Sequence, residues 1–273
     1  MASKSQKFQL YDDPVQMEPL LPGEHQLAPL LEQAHDLQKE ARSLVGKGSP
    51  AGLGQLLRAM NSYYSNKIEG QHTLPFEIEN ALRNDYSRDA DKARRQRLAL
   101  AHMETERAIE AGWSGWSGKQ VWSAQMVKDI HQDLFARLPD ADRMLPEGEV
   151  LIPGALRDRD VSVGVHAAPA HAAIAAMLAR WGDFYGGVRR GELQIVAIAA
   201  SHHRLAWIHP FRDGNGRVAR LHTHLALGSL GLTNGLWSPL RGFARSHEAY
   251  YAHLAAADEP RAGALDGRGN LSE

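Results

Sequence analysis

The chain has 273 residues, 31 Lys plus Arg against 32 Asp plus Glu, a formal net charge of −1 and no cysteine. That balance gives no global electrostatic footprint for nucleic acid or an anionic membrane, and the missing thiols exclude disulfides, thiolate metal sites and a cysteine nucleophile. The longest apolar run, Ile195 to Ala200, is far too short for a membrane span, and the polar start Met-Ala-Ser-Lys-Ser-Gln-Lys lacks a signal-peptide core, so a soluble cytoplasmic protein is expected.

Residues 1 to about 24 are polar, carry Pro14, Pro19 and Pro22, and read as an arm. Leu27 to Leu44 shows helical periodicity, with Leu30, Leu31, Ala34, Leu37 and Ala41 on one face; Gly46 to Pro50 breaks it. Gly54 to Ile68 reads as a second helix stopped near Gly70, and Leu74-Pro75 opens a third through Ile78 and Leu82. Asp89 to Ala111 is a long helix, Trp113 to Gly118 a loop, and Ser123 to Leu138 a helix with Ser123 as N-cap. Ala170 to Tyr185, Glu192 to Leu205, Asn215 to Leu230 and His247 to Ala257 continue the helical run.

One segment departs from that pattern. Arg157 to His166 alternates polar with apolar residues, with Val161, Val163 and Val165 two apart, which predicts a half-buried strand in a short hairpin. An exposed strand edge on a helical protein suits capture of another chain by main-chain pairing. At the far end, Ser272-Glu273 reads as the start of a helix that continues in a longer chain.

The chemistry concentrates at residues 209 to 220, His-Pro-Phe-Arg-Asp-Gly-Asn-Gly-Arg-Val-Ala-Arg. A Gly-rich turn opening a helix presents unpaired N–H groups and the positive end of the helix dipole, and so attracts anions. Arg217 and Arg220, three apart, share one helix face. His209 is a base candidate and Asp213 a ligand for a hard cation. His202, His203, His222 and His224 add imidazoles, but they lack zincin spacing and no H-E-x-x-H is present, so no zinc centre with His209 is expected.

Residues 209 to 220 match the Fic-family pattern H-P-F-x-[D/E]-G-N-G-R-x-x-R at every defined position. Ser65-Asn-Lys-Ile-Glu69-Gly70 also fits the family's inhibitory pattern [S/T]-x-x-x-E-[G/N]. Over roughly residues 60 to 260 the chain resembles a Fic protein adenylyltransferase of the subclass with an N-terminal inhibitory helix. The resemblance implies a mainly α fold, a helical bundle core with a β-hairpin flap. It divides the chain into an arm and helix (1–50), a helical region with the inhibitory helix at about 54–70 (51–112), a catalytic core with the flap at about 157–166 (113–258) and a C-terminal segment (259–273).

The same resemblance implies transfer of AMP from ATP to a Ser, Thr or Tyr hydroxyl of a target protein, with release of pyrophosphate. His209 would be the general base and Asp213 the Mg²⁺ ligand. Gly214, Asn215 (side chain included), Gly216, Arg217 and Arg220 would hold the triphosphate. Val161, Ser162, Val163 and Gly164 of the flap would border the nucleotide, and Tyr250 would contact adenine. Asp258 stands where some relatives place asparagine. Ser65, Glu69 and Gly70 would form the inhibitory motif, Glu69 pairing with Arg220. Other readings stay open: an ATP-binding regulator or toxin-like protein with little transfer, another nucleotidyl donor, or removal of AMP. A homodimer contact is one role open to residues 1 to about 50.

Overall fold

The structure, a computed structural model, describes residues 10–18, 20–45, 52–112, 115–164, 166–188, 191–233 and 236–258. Among these, eleven α-helices form: α1 (Glu24–Val45), α2 (Leu53–Ile68), α3 (Pro75–Leu82), α4 (Ala90–Ala111), α5 (Gly118–Val121), α6 (Ala124–Ala136), α7 (Ile174–Gly187), α8 (Gly191–Ile208), α9 (Asn215–Ser229), α10 (Leu240–Arg245) and α11 (His247–Asp258). The mainly α reading holds, and so do the long central helices. The short helices α5 and α10 carry too few turns for periodicity to show, and sequence reading missed both.

Local chemistry sets the starts. Asp89 Oδ1 accepts from the Lys92 N–H at 2.9 Å and Ser123 Oγ from the Met126 N–H at 3.0 Å, each satisfying an orphan donor of the helix it caps. Pro75 occupies the first position of α3, where a missing N–H costs nothing.

Helices α8 and α9 form the centre. α9 is buried from Val218 to Gly228, with Leu221 and Leu225 fully enclosed. It packs against α8, α6, α5, α4 and α2, while α7 and α1 cover the other side of α8. Trp181, Phe211, Leu134 and Ile208 lie in the same core, each at 0% exposure. Full burial of such side chains stabilises by about 1.5–3 kcal/mol apiece. A smaller apolar cluster, Ala59, Ile78, Ala99 and Met103, joins α2, α3 and α4. Both central helices bury polar groups: Arg217, Arg220, His222 and His224 on α9, and His202, His203 and Arg204 on α8. Such groups stay buried only with partners, so this pair of helices marks where to look for a site.

Three expectations need correction. The arm is not free beyond residue 10. Met17 and Leu20 are buried, the Tyr185 hydroxyl donates to the Leu20 carbonyl at 2.8 Å, and the Ala170 N–H donates to the Tyr11 carbonyl at 2.7 Å. The first helix also starts earlier, at Glu24. The strand predicted across 157–166 shrinks to a hairpin of β1 (Ser162–Val163) and β2 (His166–Ala167), antiparallel with Ser162 opposite Ala167 and Val163 opposite His166. Val163 is exposed rather than half-buried; among the described residues of this segment, Arg157 and His166 are the ones buried. Val165, the 46–50 break and the helix start at Ser272 lie outside the described residues.

Candidate active site

Pro210 cannot continue α8, and its ring disfavours a helical conformation at His209. His209 accordingly takes φ 49°, a left-handed conformation rare for a residue with a Cβ and worth about 1–3 kcal/mol of strain. The strain is held by Arg157. Its Nε donates to the His209 carbonyl at 2.8 Å, its Nη1 to the Arg159 carbonyl at 2.9 Å and its Nη2 to the Pro169 carbonyl at 2.5 Å. Its backbone N–H adds a bond to the Pro210 carbonyl at 2.9 Å.

The rest of the loop is equally fixed. Phe211 is fully buried and stacks on His131 at 3.8 Å between centroids. His131 Nδ1 accepts from the Gly154 N–H at 2.8 Å, so its Nε2 carries the proton, 3.3 Å from the Asp213 carbonyl. Asn215 Nδ2 donates to the Phe211 carbonyl, and its Oδ1 accepts from the Phe211 N–H, both at 2.9 Å. Through these two bonds the Asn215 amide braces the loop, with one N–H of Nδ2 engaged by the Phe211 carbonyl. Gly214 then starts α9 with φ 81°, and a Cβ there would lie 2.4 Å from the Phe135 ring. Only glycine fits both demands.

The loop delivers its groups to one place. Burial pulls the His209 imidazole down to about 4, with a bond to the Ala206 backbone opposing, so the ring is neutral at physiological pH. Burial is not visible in a motif, so the sequence carries no sign of this shift. The Asp213 side chain is 51% exposed, with Oδ1 accepting from the Gly214 N–H at 2.6 Å and lying 3.4 Å from Arg217 Nη2. The N–H groups of Asn215, Gly216 and Arg217 have no carbonyl within α9 to bond. One accessible carboxylate beside an anion-binding helix start is a donor set that fits Mg²⁺, which takes few carboxylates and completes its shell with phosphate and water.

Arg217 and Arg220 stand one above the other on α9, 3% and 1% exposed. Arg217 lies over the Phe135 ring at 5.6 Å. Arg220 reaches α2: its Nη2 donates to Glu69 Oε1 at 2.6 Å and to the Ser65 carbonyl at 3.1 Å, and its Nε donates to Ser65 Oγ at 3.0 Å. Burial would raise the Glu69 pKa, but Arg220 and Arg217 outweigh it and hold the carboxyl below its ordinary value. Gly216 makes room for this pair, since a Cβ there would sit 2.3 Å from Glu69 Oε1. Glu69 is the residue that ends α2, followed by Gly70 at φ 72°. The carboxylate faces the negative end of its own helix; the positive end of α9 and Arg220 offset that.

The remaining predicted residues lie around this centre. Val161, Ser162, Val163 and Gly164 carry the hairpin, whose His166 meets the Trp207 carbonyl at 2.9 Å beside the end of α8. Tyr250 sits on α11, stacked on Phe243, its hydroxyl 2.8 Å from His202 Nε2 and in the electrostatic field of Arg220. Asp258 pairs with His203 at 3.0 Å. The other histidines go elsewhere: His202 to Thr223 (2.8 Å), His222 to the Val121 carbonyl (2.8 Å), His224 to Glu110 (3.2 Å). Sequence reasoning missed Arg157 and His131; both act on main-chain groups far away in the chain, which leaves no spacing signature.

A sequence model of the Fic/DOC family matches residues 121–227. Proteins named protein adenylyltransferase Fic from Drosophila willistoni and Drosophila mojavensis are 31% and 29% identical over 138 residues, half of this chain. The match spans about a quarter of their own length, 27% and 26%. Among solved structures, a Fic family protein from Desulfovibrio desulfuricans G20 superposes with a TM-score of 0.68 at 20% identity, over 85% of this chain and 67% of that one. A Fic domain containing signaling protein from Bacteroides thetaiotaomicron VPI-5482 gives 0.61 at 16% identity, over 89% and 87%. At such identities the likeness is one of fold.

Proposed function

We propose that the chain uses the region matched by the Fic/DOC family model, residues 121–227, to transfer AMP from ATP to a hydroxyl of a target protein, restrained by Glu69. Arg220 carries this reading. Its guanidinium stands in an anion-binding helix start, and the anion it holds is a carboxylate of the chain itself.

In the active state a target Ser, Thr or Tyr oxygen attacks the α-phosphorus of ATP. Its proton passes to the neutral imidazole of His209, the bond to the bridging oxygen of the β-phosphate breaks, and pyrophosphate leaves. A bound triphosphate is a nearby negative charge that would lift the His209 pKa toward neutrality, where a general base works best. The first N–H groups of α9, from Asn215, Gly216 and Arg217, face the phosphate oxygens, with Gly214 and the Asn215 amide fixing their direction. Arg217 contacts the triphosphate and Arg220 takes the γ-phosphate by a bidentate pair. Mg²⁺ held by Asp213 would neutralise phosphate charge. Val161 to Gly164 border the nucleotide and offer main-chain groups to the target; Tyr250 supports Arg220 and the adenine side. Such chemistry asks for positioning and charge neutralisation, which this set supplies.

In the resting state Glu69 and Ser65 occupy Arg220, and the Glu69 oxygen fills the space over Gly216. Glu69 is 28% exposed, so it has a way into water when a γ-phosphate replaces it. The Glu69→Gly protein should incorporate label from α-labelled ATP into itself at least tenfold faster, the equivalent of about 1.4 kcal/mol. No increase, with the fold intact, rejects the restraint.

A further inference from the structure

A second cluster of polar groups lies deeper along α9, and the transfer chemistry does not use it. His102, Glu106 and Glu110 stand four residues apart on α4 and therefore line one face of it. His224 meets them from α9, one turn beyond Arg220. Ligand atoms of Glu106, Glu110 and His224 all lie within 4.8 Å of one another. His224 Nε2 is 3.2 Å from Glu110 Oε1 and 3.7 Å from Glu106 Oε1. His102 is fully buried, its Nδ1 lies 3.8 Å from Glu106 Oε2, and neither of its ring nitrogens has a hydrogen-bond partner.

Such a group is a poor structural core, since a buried polar atom without a partner costs about 1–3 kcal/mol. As a ligand set it is well composed. Bonds of about 2.0–2.2 Å to imidazole nitrogen and carboxylate oxygen put neighbouring ligand atoms of a tetrahedral ion roughly 3.3–3.6 Å apart. The distances from His224 to Glu110 and Glu106, 3.2 and 3.7 Å, are close to that, and a turn of the buried His102 ring toward them would complete the set. Two carboxylates cancel the charge of a dication, and two imidazoles with two carboxylates favour zinc-like ions over magnesium. Facing helices of a bundle are a natural place for such a site. We propose that His102, Glu106, Glu110 and His224 bind a divalent transition-metal ion of the zinc class, separate from the cation expected at Asp213.

Two features around the cluster bear on this site. Arg58 donates to Glu110 Oε2 at 2.6 Å, the oxygen other than the one facing His224, so its positive charge lies on the outer side of the cluster. Asn61 donates to Glu106 Oε1 at 2.6 Å. Arg58 and Asn61 both belong to α2, so an ion here shares its carboxylates with the helix that carries Glu69.

The test uses the untagged full chain, stripped with a chelator and titrated with Co²⁺. One equivalent should bind with the visible absorption of tetrahedral cobalt, and Zn²⁺ should displace it. His102→Gln and His224→Gln should each weaken binding at least tenfold with the circular dichroism unchanged, while Asp213→Asn should keep both spectrum and stoichiometry. The wild-type titration decides by itself if a variant does not fold. No stoichiometric tetrahedral cobalt in the folded wild type overturns the proposal, as does a spectrum that both glutamine variants retain or that Asp213→Asn abolishes.

Discussion

The loop at 209–214 and the hairpin at 162–167 are both tied to the end of α8 and are held in opposite ways. Every turn of the loop has a brace: Arg157 on the His209 carbonyl, His131 stacked on Phe211, and the Asn215 amide closing on Phe211. The hairpin has two register pairs and an exposed Val163. The difference matches what the proposed function asks of each. A base and a set of phosphate donors lose about a hundredfold for an ångström of misplacement, so their backbone must be overdetermined. Capture of a passing strand uses main-chain donors and acceptors, which have to be left open to be useful.

The comparison can be tested from the loop outward. In the Glu69→Gly background, His209→Ala should cut AMP transfer by about 10²–10⁴-fold while nucleotide binding persists; initial rates of label incorporation measure it, and unchanged rates would remove His209 from the mechanism. Arg157→Lys keeps the charge but loses the planar fork that spans several carbonyls. It should lower kcat by about tenfold or more at an unchanged KM for ATP, a split that mere loss of stability would not give. Gly214→Ala, strained at φ 81° and crowded by Phe135, should cost about 1–3 kcal/mol by chemical denaturation. Val163→Ser should stay within about 0.5 kcal/mol, and a larger loss would mean the hairpin is more tightly packed than the comparison holds.

Titration offers a finer version. The free site holds His209 near 4, so its base form is present above that value and is lost only as pH falls through it. The rate per free enzyme and ATP should therefore be flat from pH 8 down to about 5.5, while kcat, which reports the complex, should bend at a higher pH. An acid limb near 6.5 in both would show that burial does not act on this ring.

The same contrast explains what the sequence made legible. Residues 209 to 220 are contiguous, so base, cation ligand, helix start and arginines could be read together. The Glu69–Arg220 pair spans 151 positions and was readable only because two short patterns coincide in one chain. Alternating valines misled, because period two reports a strand with a buried face, and this segment leaves Val163 exposed while Arg157 and His166 are buried. Arg157, His131 and the Asn215 amide act on backbone groups, whose positions depend on the fold and not on neighbouring letters. The cluster of His102, Glu106, Glu110 and His224 needed the pairing of α4 with α9 before four scattered residues became one group.

Ser65 and Glu69 occupy the final turn of α2, where Glu69, Gly70 and Gln71 close with N–H bonds to Asn66 and Lys67. Helix ends fray on much faster timescales than whole helices leave their beds. The contact on Arg220 therefore hangs on an end turn of its helix, and uncoiling that turn would withdraw both groups. Amide hydrogen exchange at Glu69, Gly70 and Gln71 would then read directly how often Arg220 stands open, without any substrate in the tube.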